Sequence, residues 1–456
     1  MKKKLVCIIL ALALVISVAL SGCGSSKNDA GQSPSANSTT AKNTETAEKT
    51  EPAEVVFQTW NPAETSCIGE IIASFEEANP DIKIDYKYMP ATDHIQALEV
   101  AMSSGEGPDV YGLSAGAPYK QFRDFEEDIT PYAQAFWGNN WTDKFIDFCL
   151  SLIEVDGKYY GLPLGLTYAG LAWADVNMLK EYGINELPTS YDALLEASKI
   201  LRSKGQLPLA IGAKDAWINI DTWMSMAADV NAEKLYSAIE GKSPFTDPDL
   251  VKSFEIWQNC FTSGIFQDGA TGMSVYNDVN DMFQKEGSIP MMLNGSWAMN
   301  MYLLDDTETQ KVFNAENADH DIFLIDWNND GKVCPLTAAV DVILCVNSSS
   351  KVKDQAFRWA AYLVNEGQDV LVNEHMEYCP SRADMELNVK GLSEDGKKNL
   401  DFIIKNAENN LAGIRSIPYN DLALAVSDQL AALATYDTTP EKAAEAIEAA
   451  SKTTQR

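Results

Sequence analysis

From residue 55 onward, segments whose apolar side chains have the spacing of a strand alternate with segments whose apolar side chains have the spacing of a helix. Residues 55–57 are a short apolar run typical of a buried strand, and residues 82–88 alternate apolar with charged side chains, which predicts a strand with one buried face. Between them, the apolar residues of 68–75 are spaced as one stripe of a helix, and 95–102 repeats that spacing before a strand at 110–113. Alternating strands and helices predict an α/β sheet with helices packed on it.

The middle of the chain is richer in helical patterns than its beginning. Apolar stripes predict helices over 191–201 and 250–261, each preceded by a helix-start signal that contains proline. Strand patterns return at 322–325 and 340–346, and a helix at 357–364 and two alanine-rich helices follow them. This late return to strands predicts a chain that crosses between two lobes more than once.

The N-terminus has the three parts of a secretory signal. Lysines at 2–4 precede an apolar run over 5–20, which is shorter than the ~20 residues that span a bilayer. The run ends in Leu-Ser-Gly-Cys at 20–23, the order of a lipobox, in which the cysteine thiol receives a diacylglycerol group before cleavage. We therefore expect a signal peptide at 1–22 and a lipid anchor at Cys23, with the mature protein on the outer side of the cell membrane.

A polar stretch separates this anchor from the rest of the chain. Residues 24–54 are dominated by Ser, Thr, Asn, Ala, Lys and Glu, and such a segment buries too little apolar surface to offset the entropy of ordering it. The sequence therefore predicts that 23–54 is a lipidated, disordered tether that gives the folded body reach.

Composition narrows the possible partners and the class of the folded body. The formal net charge of −31 argues against nucleic acid and against adhesion to anionic lipid. The length that follows residue 54 is enough for two packed lobes, because single hydrophobic cores rarely grow beyond ~250–300 residues. Six cysteines follow Cys23 without a CxxC pair; several of them lie inside apolar patterns and are expected to be free and buried.

The histidines provide little support for catalysis. His94, His320 and His375 are the only ones in the chain, and none lies in an HExxH motif or beside a GxSxG elbow. For His94, next to Asp93 at a predicted helix start, we expect a solvated or capping role. The chain also has no P-loop and no GxGxxG motif, so we expect no enzyme activity, no cofactor and no metal.

One segment has half of a calcium-loop pattern. Residues 326–333 place oxygen-bearing side chains at alternate positions before a glycine, as a calcium loop does. The pattern then fails, because Pro335 enters the loop and Thr337 stands where a bidentate glutamate belongs. The alternative interpretation is a polar turn between two strands, where Asn, Asp and Gly are favoured.

Ten tryptophans suggest a ligand with apolar faces. Trp257 and Trp359 lie on apolar helical faces and are predicted core residues, whereas Trp60 and Trp297 lie where a strand ends or a loop turns. Flat aromatic rings stack on the C–H faces of sugars, and neighbouring polar side chains bond the hydroxyls. The sequence therefore favours a carbohydrate ligand, with Trp60 and Trp297 as stacking platforms.

Several motifs in order resemble the extracellular solute-binding proteins of ABC importers, specifically the sugar-binding group related to maltose-binding protein. The resemblance covers the chain from about residue 55. It is carried by Thr59-Trp60 and by five segments: Phe-x-x-x-Asn-Pro-x-Ile-x-Ile at 75–84, Gly-x-Gly-Pro-Asp-Val at 105–110, Asp-Gly-Lys-x-Tyr-Gly-Leu-Pro at 156–163, Trp-Ala-Asp-x-Asn-Met-Leu at 173–179 continuing to Asp192, and Phe-x-x-x-Gly-x-x-x-Met-x-x-x-Gly-Ser-Trp at 283–297.

This resemblance implies an α/β, two-lobe periplasmic-binding-protein-like fold of type II, with a ligand cleft between lobes joined by a hinge of several crossings. The implied lobes are 55–163 with 326–372, and 164–325 with 373–456. The implied function is to bind a sugar or oligosaccharide between the lobes and to deliver it, as a monomer, to a membrane permease. By position in the family, the expected cleft residues are Trp60, Asn61, Ser114, Tyr168, Trp217, Trp223, Gly295, Trp297, Asp341 and Arg382, the last as a polar clamp.

Three other functions stay open at the level of the sequence. The same fold could bind a polyamine or another small cation, in which case Asp221 or Asp341 would face the ligand amines. A secreted polysaccharide-active enzyme would instead need two carboxyl groups spaced across the cleft. A sensor subunit would pass ligand occupancy to a membrane kinase.

The lipid anchor can be tested by metabolic labelling. Replacing the cysteine that accepts the lipid (Cys23→Ser) is expected to abolish incorporation of a palmitate analogue and to move the protein out of the membrane fraction. The matched control is Cys7→Ser, within the apolar run, which should keep the label. Labelling that persists in Cys23→Ser would contradict the prediction.

Overall fold

The computed structural model describes residues 51–285, 288–302 and 319–456. The predicted signal peptide, Cys23 and the tether up to residue 50 lie outside the described residues, as does Gly287 of the fifth motif segment. Within the described part of the chain, none of the helices combines the length and the hydropathy that crossing a bilayer requires.

A five-stranded sheet forms from the first strands of the chain and from one late strand. The three early strands are parallel, the late strand runs antiparallel to them, and its outer neighbour is antiparallel to the late strand and so shares the direction of the early strands. The first strand buries alternate side chains, including Val55 and Phe57, as the sequence pattern predicted. In spatial order the strands are Ile82–Tyr88 (β2), Ala53–Thr59 (β1), Val110–Leu113 (β3), Ile343–Val346 (β13) and Leu162–Pro163 (β6).

A second sheet of four strands belongs to the middle of the chain. Three of its strands are antiparallel neighbours, and the fourth pairs in parallel. In spatial order they are His320–Phe323 (β11), Ala172–Asp175 (β8), Met291–Leu293 (β10) and Leu209–Ala210 (β9). A two-stranded hairpin comprises Glu154–Val155 (β4) and Lys158–Tyr159 (β5).

A three-stranded sheet connects these two sheets along the chain. It comprises Leu411–Ile414 (β14), Leu336–Val340 (β12) and Leu166–Ala169 (β7). The chain runs from β6 through β7 into β8, and later from β11 through β12 into β13. It therefore passes between the two larger sheets more than once, which confirms the predicted repeated crossing. The sequence pattern over 340–346 had predicted a single strand, but Asp341 and Val342 separate β12 from β13 because the chain changes sheets there.

Helices cover the sheets and fill the middle and the end of the chain. The bounds of the α-helices are Ile68–Ala78 (α1), Ala91–Ser104 (α2), Ala117–Gln121 (α3), Thr130–Trp137 (α4), Asp147–Ser151 (α5), Val176–Glu181 (α6), Tyr191–Ser203 (α7), Ala216–Ile239 (α8), Pro248–Thr262 (α9), Met299–Tyr302 (α10), Lys353–Val364 (α11), Glu366–Asp369 (α12), Glu394–Asn409 (α13), Asn420–Ala434 (α14) and Pro440–Ser451 (α15).

The two predicted helix starts in the middle of the chain are confirmed by their caps. The hydroxyl of Ser190 accepts a hydrogen bond from the backbone N–H of Ala193 at the start of α7. The carboxylate of Asp247 accepts from the N–H of Asp249 at the start of α9, where Pro248 occupies the first turn. Each cap satisfies a backbone donor that the helix cannot pair itself.

The predicted core residues are buried. Trp257 and Trp359 are fully buried, and Trp359 packs edge-on against Phe57 and Phe75. The six cysteines are all free and buried, which confirms that expectation; they are Cys67, Cys149, Cys260, Cys334, Cys345 and Cys379.

The calcium-like segment forms a turn between β11 and β12, as its second interpretation predicted. One carboxylate oxygen of Asp326 accepts a hydrogen bond from the N–H of Asp330 at 3.0 Å, and the other accepts from Gly331 at 2.8 Å. The side-chain oxygen of Asn329 accepts from the N–H of Asp192 in α7. The side chain at the first position of the pattern is therefore used to hold the turn together.

Helix α8 contains a kink beside a half-buried carboxylate. Asn231 has extended backbone angles (φ −166°, ψ 94°), and its side chain caps the second half of the helix by accepting from the N–H of Lys234. Asp229 lies just before the kink and accepts from the N–H of Asn328. Burial, followed by the carboxylates of Asp326 and Asp330, raises the pKa of Asp229 to about 7.

Removing the charge of Asp229 is expected to stabilise the protein at alkaline pH. A carboxyl group whose pKa is raised on folding stabilises the folded state below its ordinary pKa, and this contribution is lost as the pH rises through 7. Asp229→Asn retains the acceptor oxygen for Asn328, so at pH 8 its free energy of unfolding should exceed that of the wild type by on the order of 1–2 kcal/mol. The two should converge near pH 4. Urea denaturation across this range provides the measurement, and an equal difference at both ends would contradict the assignment.

Candidate functional site

A guanidinium group shared by two carboxylates forms the polar centre of the site. Arg415 follows β14, and its Nη1 lies 2.6 Å from the carboxylate of Asp221 on α8. Its Nη2 lies 3.0 Å from the carboxylate of Asp341, at the point where the chain leaves β12. The backbone N–H of Arg415 also donates to the carbonyl of Ala338, so the pairing of β14 with β12 fixes where this side chain begins.

Burial dominates the electrostatics of this centre. It raises the pKa of Asp221 to about 6, while the charge of Arg415 acts in the opposite direction. Burial also raises the pKa of Asp341, against the effects of Arg415 and of hydrogen bonds with Thr167 and Trp60. An ion pair taken out of water needs both partners, because removing one leaves an uncompensated buried charge.

Three aromatic rings extend from the polar centre. The guanidinium of Arg415 lies 4.7 Å from the ring centre of Trp297, within cation–π range. Trp297 meets Trp217 edge to face at 5.6 Å, and Trp217 in turn stacks on Tyr276 at 6.0 Å with 29° between the ring planes. Tyr276, at the outer end of this row of rings, is 56% exposed. The rings therefore form a continuous aromatic wall, open to solvent at Tyr276.

A glycine allows the ring of Trp297 to occupy its position. A Cβ atom built on Gly295 would lie 2.1 Å from the Trp297 ring, much closer than any real contact. The short 3-10 turn Ser296–Ala298 follows, so the indole folds back over the glycine's own backbone. The Gly-Ser-Trp sequence thus has a physical reason: only a residue without a side chain leaves room for the ring.

The ring of Trp60, directly after β1, packs against a buried histidine. The rings of Trp60 and His94 lie 5.2 Å apart. The Nε2 atom of His94 is 2.8 Å from the carbonyl of Gly112, and its Nδ1 atom is 3.3 Å from the amide nitrogen of Gln58. His94 is fully buried, so the expectation of a solvated or capping histidine was wrong; its helix packs inward and the ring bonds to the sheet.

A turn with an unusual backbone brings two more polar groups to this region. Met376 is buried and has a φ of 53°, a conformation that side-chain-bearing residues rarely adopt. The next two residues contact the first loop: the carboxylate of Glu377 accepts from Ser66 at 2.5 Å, and the hydroxyl of Tyr378 accepts from the amide of Asn61 at 2.6 Å. Glu377 also accepts from Asn300 at 3.3 Å, so it links elements that are distant in sequence.

Most of the residues expected in the cleft lie near this centre. Trp217, Gly295, Trp297 and Asp341 belong to it directly, and Trp60 contacts Asp341. Asn61 meets Tyr378, and half-buried Ser114 precedes Ala115, whose N–H donates to the carbonyl of Val340 next to Asp341.

Three of the expected residues point elsewhere. Trp223 is fully buried, stacks on Phe254 and donates its N–H to Ser253, so neither ring face is open to a ligand. Tyr168 is buried and lines an apolar cavity of about 340 Å³ together with Met376 and Leu411; Tyr378 lines it too, but its hydroxyl also bonds to Asn61. The guanidinium of Arg382 is bound by the carboxylate of Asp384 and the carbonyl of Asn365. We leave these three out of the candidate site.

Three residues of the candidate site were not expected from the sequence. Arg415 lies after a strand whose pattern was not recognised, Tyr276 lies in a π-helical turn (Val275–Val279), and Tyr378 follows the strained turn. The run of apolar residues at 411–414 was the one local signal that could have located Arg415.

Comparison with known families identifies the chain. The profile described as "Bacterial extracellular solute-binding protein" matches residues 60–370. The chain belongs to this family. Among curated relatives it resembles an uncharacterised ABC transporter extracellular-binding protein of Pyrococcus horikoshii (24% identity; 65% of each chain) and the arabinooligosaccharide-binding protein of Bacillus subtilis (23% identity; 66% of this chain, 64% of the relative). The alignments thus span slightly less than two thirds of these relatives' lengths.

Solved structures show the fold. A structure from work on xylan utilisation by Caldanaerobius polysaccharolyticus matches 87% of this chain and 99% of its own length, with a TM-score of 0.73 and 19% identity. A chitin oligosaccharide binding protein matches 88% and 98%, with a TM-score of 0.72 and 18% identity. The chain has the two-lobe α/β fold of this family, as the sequence resemblance implied.

The fit between Gly295 and Trp297 can be tested by a double-mutant cycle. Gly295→Ala is expected to destabilise the protein by about 1–3 kcal/mol, because the added methyl group displaces the indole. In a Trp297→Ala background the same change should cost close to nothing, since the three nearest atoms to the new Cβ all belong to that ring.

The control for this cycle is Gly272→Ala, where a Cβ meets nothing within 4 Å. Its free energy of unfolding, measured by urea denaturation, should stay within about 0.5 kcal/mol of the wild type. Equal costs of Gly295→Ala in the two backgrounds would show that the ring of Trp297 does not lie over Gly295.

Proposed function

We propose that this protein is the substrate-binding lipoprotein of an ABC importer, and that it binds a sugar or oligosaccharide between its two lobes. The observation that supports this most is the aromatic wall of Trp217, Tyr276 and Trp297 beside the polar centre at Arg415. Sugar sites combine apolar ring faces with a few oriented polar groups, and this cluster contains both. The proposed ligand-binding residues are Trp60, Asn61, Ser114, Trp217, Tyr276, Gly295, Trp297, Asp341, Tyr378 and Arg415.

The proposed mechanism is closure of the lobes around the ligand. Candidate contacts come from the first loop at Trp60 and Asn61 and from the middle of the chain at Trp217 and Trp297. A ligand that touches both groups stabilises the closed arrangement more than the open one, which shifts the population toward the closed form. We propose that the closed form is what the permease receives, and that the anchor at Cys23 keeps the monomeric binder close to it. The lobe boundaries predicted from the sequence remain part of this proposal.

The polar centre disfavours the alternatives of a polyamine ligand and of catalysis. A polyamine site needs carboxylates that are free to pair with ligand amines, whereas Asp221 and Asp341 already pair with Arg415. The same sharing argues against a catalytic acid and base at these two residues, because a guanidinium that holds both carboxylates leaves neither positioned beside a scissile bond. Distant relatives named for arabinooligosaccharide and chitin oligosaccharide binding are in keeping with a sugar ligand.

A panel of ligands in a thermal-shift assay, followed by calorimetry, tests the proposal. Cello-, malto-, galacto- and xylo-oligosaccharides and spermidine are compared. A ligand at 100 times its Kd stabilises the folded state by about 2.7 kcal/mol, so a bound sugar should raise the Tm by a few degrees. A shift with spermidine and with none of the sugars would contradict the proposed ligand class.

The site itself is tested with two tryptophan variants. Trp297→Ala should weaken binding of the sugar by about tenfold, because it removes a stacking face of the site. Trp137→Ala is the matched control: this half-buried tryptophan packs on Phe145 and Phe357 instead of on the site, and its loss should leave the affinity unchanged. Equal affinity in Trp297→Ala and the wild type would remove Trp297 from the site.

A further inference from the structure

We infer that the cleft selects neutral or amino sugars and discriminates against uronic acids, an inference that rests on the proposed sugar-binding function. The reason is that the site's central cation is already neutralised by the protein's own carboxylates. This selectivity would arise from the positions of Arg415, Asp221 and Asp341 and from the charges around them.

The part of an arginine that recognises a carboxylate is its fork of terminal nitrogens. A ligand carboxylate is bound most strongly when it accepts two parallel N–H bonds from that fork. In Arg415 the fork is divided: Nη1 pairs with Asp221 at 2.6 Å and Nη2 with Asp341 at 3.0 Å. A uronate that took both terminal nitrogens in this way would compete with these two carboxylates for the same cation, and any carboxylate it displaced would be left buried without its partner.

The rest of the guanidinium is no more accessible. The ring of Trp297 lies over it at 4.7 Å, and its Nε atom is buried and has no hydrogen-bond partner among the described residues. The side chain of Arg415 is 14% exposed, compared with 16% for that of Asp341. A ligand that reaches the centre therefore meets the carboxylate of Asp341 beside the cation.

The other charges that act on the site are also mainly negative. The carboxylate of Asp215 accepts a hydrogen bond from the N–H of Val275, next to Tyr276 in the aromatic wall, and Glu377 directly precedes Tyr378, whose hydroxyl bonds to Asn61. Lys214 is exposed, and the pKa of the nearby Asp278 is lowered first by hydrogen bonds from Ser274 and then by Lys214. The charged groups named in this region therefore comprise five carboxylates against two cations, Lys214 and Arg415.

The charge of the whole chain acts in the same direction. A formal net charge of −31 produces a negative potential that repels anionic ligands over about a Debye length, ~8 Å at physiological ionic strength. A neutral hydroxylated ring meets no such penalty, and its hydroxyls can donate to the outer oxygens of Asp341. An amino sugar gains from the same field. The site thus discriminates first by the charge of the sugar and only then by its glycosidic linkage.

The experiment compares each neutral oligosaccharide with its uronate-containing counterpart by calorimetry at pH 7.5. The counterparts are C6-oxidised cello-, malto- and galacto-oligosaccharides and xylo-oligosaccharides with a glucuronyl branch. For the sugar that binds, we expect the uronate form to bind at least tenfold more weakly, with a ratio that shrinks as salt is added. A uronate that binds equally or more tightly would overturn the inference while leaving the proposed function intact. Failure of every sugar, neutral or acidic, to bind would overturn both.

A variant of Asp341 tests whether the discrimination against uronates arises at the polar centre. Asp341→Asn removes one negative charge from the centre and leaves Arg415 with one carboxylate partner instead of two, so the ratio of neutral to uronate affinity should fall by at least threefold relative to the wild type. Asp401→Asn, an exposed carboxylate on α13, makes the same change in net charge and should leave the ratio unchanged. The ratio is read out only after the Tm of each variant shows a folded protein. An unchanged ratio in Asp341→Asn, or an equal fall in Asp401→Asn, would show that the centre does not set the selectivity.

Discussion

The ion pairs of Arg415 with Asp221 and Asp341 are the constraint on which the arrangement of the site depends. The three residues come from a strand end, a long helix and the link between two sheets, so the pairs fix three elements at once. Each side chain is largely removed from water, where breaking a pair costs about 3–5 kcal/mol because a buried charge is left alone. The cost of burial is visible in the raised pKa of both carboxyl groups. Such a centre fixes the relative positions of the three elements more than it raises the free energy of unfolding, since buried ion pairs are seldom more stabilising than apolar residues of the same volume.

The three-stranded sheet supplies the framework for that centre. Its strand β7 follows directly from the first large sheet, and its strand β12 leads directly back to it, so the sheet lies on both routes between the lobes. Asp341 occupies the first position after β12, and Arg415 the first after β14, which is paired in parallel with β12. Parallel neighbours bring their C-terminal ends to the same edge of a sheet, and for that reason these two residues meet although 74 positions separate them.

The local elements could be predicted from the sequence, whereas contacts between distant elements could not. Strand β2 and helices α7 and α9 follow from periodicity and capping, because those signals lie within a few residues of the element they define. The positions of Trp60 and Trp297 at the ends of elements could also be predicted from the sequence. The role of Arg415 could not, because it arises from the pairing of β14 with β12, which no local pattern encodes. Trp223 shows the converse: its position in the family placed it in the cleft, but the long helix α8 packs that stretch against α9 and buries the ring.

The contrast between buried charges and exposed rings bears on how such a site can respond to a ligand. The polar centre is already dehydrated and paired, so it offers oriented atoms without a further cost of ordering when a ligand arrives. The aromatic wall is different, because Tyr276 remains 56% exposed and gains stabilisation only when something covers it. In the proposed mechanism, a ligand that covers this ring while touching Trp60 would supply the free energy for closure, and the charged centre would determine which ligands can do so. On this proposal, affinity and selectivity arise from different residues, and substitutions in the wall and in the centre should affect them separately.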